Sequence, residues 1–121
     1  MLRALCPACL ALILASIGAA RPSYIAAQTR SRVILLGTGT PNADPTRSGP
    51  ALAIVVDSNV YIVDAGPGIV RRAAAAKIPM PRLRIAFLTH LHSDHTVGIP
   101  DLWFTGWIRG RKVPLRVWGP A

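Results

Sequence analysis

The chain is predicted to be an α/β protein built on a mixed sheet, and three observations predict it. Short apolar runs rich in Val, Ile and Leu alternate with Pro- and Gly-rich breaks, which is the pattern of buried strands rather than of long helices. One alanine-rich stretch carrying long basic side chains separates two of these runs, as a helix between strands would. The resulting order of strand, hairpin, helix, strand, helix and strand within 121 residues suits one layered unit, without internal repeats.

Taken in order, Arg32 to Leu36 reads as a strand because the run Val33-Ile34-Leu35-Leu36 stops abruptly at Gly37-Thr38-Gly39-Thr40-Pro41. After a loop punctuated by Pro45, Gly49 and Pro50, the runs Ala51 to Val56 and Val60 to Val63 form a hairpin joined at Asp57-Ser58-Asn59. Asp64-Ala65-Gly66-Pro67-Gly68 closes it. Ile69 to Lys77 is the helix, with Pro67 in its first turn and Pro79 and Pro81 beyond its end. Arg84 to Leu88 is the next strand, Val97 to Ile108 a helix broken near Pro100, and Leu115 to Trp118 a last strand. Trp103 and Trp107, four apart, are expected on the core face of that helix.

Composition narrows the function classes. Fourteen Lys and Arg oppose five acids, all Asp, giving a formal charge of +9 that favours phosphate or other acidic ligands. The basic residues are scattered and not interleaved with aromatics, so charge alone does not make a nucleic-acid binder. Residues 1–27 read as an export signal or N-terminal anchor: Arg3 precedes the apolar stretch Leu10 to Ile17, and small residues offer cleavage after Ala20 or Ala27. That stretch is short of the about 20 apolar residues of a membrane span. A secreted or periplasmic product, 28–121, follows, membrane-anchored if the signal is retained. Cys6 and Cys9 fall within the signal, so the remainder has no cysteine and no disulfide.

All three histidines lie within His90-Leu91-His92-Ser93-Asp94-His95, directly after an apolar run. If the backbone stays extended, His90, His92 and Asp94 point to one side and His95 elsewhere, so one loop addresses two adjacent metals. Imidazole with carboxylate suits Zn, Mn or Fe in a binuclear hydrolytic site, whereas a structural zinc normally recruits cysteine. Gly37, Thr38, Gly39 and Thr40 are assigned to a loop passing close to that site or its substrate. A dinucleotide-binding reading of Gly37-Thr38-Gly39 fails, because Asn42 replaces the third glycine and prolines 41, 45 and 50 forbid the following helix.

The segment HLHSDH resembles the H-x-H-x-D-H motif of the metallo-β-lactamase superfamily. LLGTGTPNADPTRSGPALAI at 35 to 54 and IVDAGPG at 62 to 68 resemble its ribonuclease Z and arylsulfatase-like branch. The resemblance implies a four-layer αββα sandwich, of which this chain supplies roughly the first half. It implies that His90 and His92 bind one divalent ion, and Asp94 and His95 a second. Asp94 is then the candidate to orient or deprotonate the attacking water, and Asp64 to hold the loop by hydrogen bonds. The reaction implied is hydrolysis by metal-activated water. The family takes further His and Asp ligands from later segments, and none follows Asp101, so the 121-residue form is expected to be incomplete and inactive. Export favours a small phosphodiester or aryl sulfate ester as substrate. Trimming of transfer RNA precursors is the alternative, a non-catalytic truncated product another, and a homodimer is expected of the full enzyme.

Overall fold

Residues 30–121 are described by a computed structural model; residues 1–27, read above as an export signal or anchor, and with them both cysteines, lie outside the described residues. Strands β1 (Ser31–Gly37), β2 (Ala51–Val56) and β3 (Asn59–Val63) form an antiparallel meander, and β4 (Leu83–Phe87) and β5 (Arg116–Trp118) extend it in parallel. The spatial order is the chain order, β1-β2-β3-β4-β5. The sheet is therefore mixed, as the sequence predicts. Helices α1 (Ile69–Ala75) and α3 (Ile99–Ile108) pack beside each other, and α2 (Ser93–Thr96) is a single turn between β4 and α3.

Alternation along the strands sorts their residues onto two faces. Ala53, Ile62 and Ala86 stand opposite one another across β2, β3 and β4 and are fully buried beneath the helices, where Ile69, Ala73 and Leu102 meet them in one core. Their neighbours Val33, Leu35, Phe87 and Trp118 share the other face, and Leu35 remains 65% exposed. Among the described residues, this second face is apolar and uncovered, as expected of a sheet that forms half of a sandwich.

Three expectations change. The tryptophans of α3 are not core residues: Trp103 and Trp107 are 56% and 67% exposed. The inward stripe is Leu102 and Gly106, one position earlier, which turns Trp103 and Trp107 by about 100° on a helix of 3.6 residues per turn. Gly106 is needed there because the guanidinium of Arg111 lies where a side chain would project. That guanidinium is buried without a carboxylate and donates to the carbonyls of Leu83, Leu102, Trp103 and Val113.

The break in the second helical region falls at Gly98 rather than Pro100, which sits in the first turn of α3, where a missing N–H is harmless. The Gly98 N–H is drawn away to the Ala65 carbonyl at 2.7 Å. Pro67 lies in the turn before α1, and Gly68, at φ 83°, occupies the capping position.

Candidate metal centre

The candidate site is assembled where β3 and β4 end side by side. The register Val63↔Phe87 brings Asp64 and Leu88 out at the same sheet edge, and the Asp64 N–H bonds to the Phe87 carbonyl at 2.8 Å. Asp64 adopts a left-handed conformation, φ 61°, which a branched side chain would resist. This turn aims its carboxylate back at the histidine loop. The backbone is held as well, since the Ala65 N–H donates to the His95 carbonyl at 2.7 Å. Gly66 and Gly98 permit that closeness: a Cβ on Gly66 would stand 2.6 Å from the Asp94 carbonyl, and one on Gly98 2.5 Å from the Gly66 carbonyl.

The loop is extended only as far as His92, at φ −62° and ψ 149°, after which α2 begins. The alternation expected from sequence therefore ends before Asp94. His95 does not face elsewhere; the helical turn brings it back until its ring centroid is 4.0 Å from that of His90. The donors fall into two pairs. His90 Nε2 and His92 Nδ1 are 3.1 Å apart, and His95 Nε2 and Asp94 Oδ2 are 3.5 Å apart. Two ligands on one tetrahedral ion with bonds of about 2.0–2.1 Å are separated by roughly 3.3–3.4 Å, so each pair has the spacing of two neighbouring ligands of one zinc-sized ion. Among the described residues no three His, Cys, Asp or Glu side chains converge on a single point. The donor set fits a divalent ion in its chemistry and spacing, at two ligands per ion.

Asp64 does not join either pair. Its carboxylate, almost fully buried, accepts the Thr89 N–H at 2.8 Å and approaches the Thr89 hydroxyl at 2.9 and 3.0 Å. Its Oδ2 lies 2.9 Å from His95 Nδ1, close but off the line of a full hydrogen bond. Burial pushes the Asp64 carboxyl upward, yet the bonds from Thr89 and the neighbouring His95 outweigh it and hold the group below the usual carboxylate range. These contacts tie Asp64 to Thr89 and set it beside His95, the two ends of the loop that the family resemblance expects it to hold. Thr89 was missed, because a threonine at a strand end carries no signal until its partner, 25 residues away, is placed.

Of the four residues assigned to the substrate loop, Thr40 alone lines the cleft of about 510 Å³ that opens beside Ser93 and Asp94. Gly37 and Thr38 line a separate hollow against Arg72, and Gly39 is tied to the Ser48 carbonyl at 2.8 Å. The segment after Gly39 is loop as far as Pro50, with no dinucleotide-type helix. Arg47, also unanticipated, borders the cleft and sits 3.6 Å from Asp44, which is fixed by Thr46.

Residues 44–117 match the metallo-beta-lactamase superfamily. The chain is 41% identical over 91 residues to ribonuclease Z of Mycobacterium marinum, and the match spans 73% of this chain and 33% of that protein. Against ribonuclease Z of Mycolicibacterium paratuberculosis the identity is 43%, over 73% and 32% of the two chains. The crystal structure of the short form of human tRNase Z superposes with a TM-score of 0.66 at 31% identity, covering 74% of this chain and 35% of that one. The chain thus spans about a third of the length of the curated relatives it matches. With its mixed sheet and this match over most of its described residues, the chain belongs to the metallo-beta-lactamase superfamily.

Proposed function

We propose that this chain carries the metal-binding part of a phosphodiesterase acting on RNA, in the manner of the ribonuclease Z proteins it resembles. One observation carries the reading: four candidate donor atoms stand in two pairs 3.1 and 3.5 Å apart, beside a cleft edged by Arg47. His90 and His92 hold one divalent cation, and Asp94 with His95 the other. Zinc suits imidazole and carboxylate best, with manganese or iron as competitors. When bound, such cations lower the pKa of a coordinated water to about 7 and polarise a phosphoryl oxygen. Asp94, at the cleft wall, orients the attacking water by accepting its proton. Arg47 and the basic surface draw in the polyanion. A catalytic zinc takes about three protein ligands, so hydrolysis needs donors besides these four.

The N-terminal apolar stretch favours a second reading, a small phosphodiester or aryl sulfate ester hydrolysed outside the cytoplasm, since an exported enzyme does not meet transfer RNA precursors. Metal analysis of the chain and of a His92→Ala variant tests the shared part. The expected result is zinc or manganese uptake that the substitution weakens by more than the about 10–100-fold typical of losing a ligand's supporting partner. No uptake at saturating zinc and manganese would overturn both readings. Precursor transfer RNA, an aryl phosphodiester and an aryl sulfate, offered in parallel to the enzyme in which these residues are complemented, separate them. Sulfate or small-ester hydrolysis without RNA cleavage would select the second.

A further inference from the structure

We propose that Thr89 is a positioning residue that fixes the proton of His90 on Nδ1 and so presents Nε2 as the bare donor. The inference rests on the reading of His90 as a metal ligand and assigns the device that prepares it. The argument is a count of protons. The Thr89 oxygen lies within 3.0 Å of both carboxylate oxygens of Asp64 and 3.0 Å from His90 Nδ1. A hydroxyl has one hydrogen, and an ionised carboxylate only accepts. That hydrogen therefore goes to Asp64, because the opposite choice sets a hydroxyl lone pair against a buried carboxylate at 2.9 Å. Toward His90 the hydroxyl offers only a lone pair, so Nδ1 must carry the hydrogen. Nε2 is left unprotonated, and it is the atom that faces His92 Nδ1 at 3.1 Å.

The same carboxylate also lies beside His95, with Oδ2 2.9 Å from Nδ1 though off the line of a full hydrogen bond, while His95 Nε2 is the atom paired with Asp94. One buried acid thus stands behind one histidine of each donor pair, beside His95 and joined to His90 through a threonine. Such outer partners set the tautomer and basicity of a ligating imidazole.

Long-range proton–nitrogen NMR of the imidazoles in the intact chain, at a pH where they are neutral, reads the tautomer without any metal. Wild type is expected to show His90 protonated on Nδ1. Thr89→Val keeps the backbone bond to Asp64 but removes the relay, and the proton is expected to move to Nε2, the site preferred by a free imidazole. Thr89→Ser is expected to restore the wild-type pattern. In chelator competition, zinc affinity should fall about 10–100-fold in Thr89→Val and recover in Thr89→Ser. A wild-type His90 carrying its proton on Nε2 would overturn the proposal without recourse to a variant, as would an unchanged tautomer in Thr89→Val. Failure of wild type to bind zinc would sink the metal reading alone, because the tautomer comparison does not depend on the ion.

Discussion

At the scale of single residues, Asp64 concentrates the most consequences. It holds a left-handed backbone, accepts three contacts from Thr89 and touches His95, all while buried. Its carboxyl is held below the usual range in the folded state, so its ionised form stabilises the fold above the unfolded pKa of about 3.9. That contribution is lost as pH falls through the lower folded value. Asp64→Asn tolerates the backbone and keeps the shape but removes the charge-assisted bonds. It is expected to lower unfolding free energy by about 1–3 kcal/mol at pH 7, with the gap to wild type closing in strongly acidic solution. Denaturant unfolding at pH 7 and pH 3 measures this, and an equal gap at both would show that the charge is irrelevant. The residues that bear donors were legible because three imidazoles within six positions are rare enough to stand out. Thr89 and Arg47 were not, since each matters only through partners that folding brings near.

Elements were legible where periodicity had room to repeat. In the hairpin, Ala51–Val56 needed no adjustment and the second strand gained only Asn59 at its start. The single turn α2 spans four residues, too few for a helical pattern, and that turn swings His95 toward His90. Helix α1 ends in a way the sequence conceals. The Lys77 N–H reaches the Ala74 carbonyl and the Ile78 N–H the Ala73 carbonyl, the two bonds of a left-handed helix stop, with buried Ile78 sealing it. Glycine usually fills that stop, yet Lys77 holds φ 57°. Lys77→Gly is expected to relieve the strain and stabilise the chain by about 1 kcal/mol net. For a unit of this size, that raises the melting temperature by roughly 4–8 °C. A lowered melting temperature would mean that the lysine side chain contributes something the backbone account omits.

The whole molecule is defined by a sheet with two unlike faces. One is sealed by α1 and α3; the other presents Val33, Leu35, Phe87 and Trp118, with the last two rings stacked at 5.4 Å between centroids. Contiguous exposed apolar surface of this kind drives association and binds hydrophobic dyes. The double substitution Val33→Thr with Leu35→Thr is expected to reduce both while leaving the fold intact, because threonine is β-branched and so suited to a strand. Light scattering and dye fluorescence read the effect, and unchanged self-association would direct attention instead to the exposed aromatics of α3. The layered class and mixed pairing were readable from the order of elements. Which face stayed open was not, because alternation marks two sides without saying which one the helices take.

Backbone bonds from Gly49 to Pro67, from Gly66 to Pro50 and from Gly98 to Ala65 fasten three separate stretches of main chain to one another behind the donors. None of these rivets depends on what side chains the rim at 41 to 47 displays. On the proposed reading, alterations along that rim would retune which ligand is gripped without disturbing the donor pairs, so specificity would be free to drift while the donors stay put.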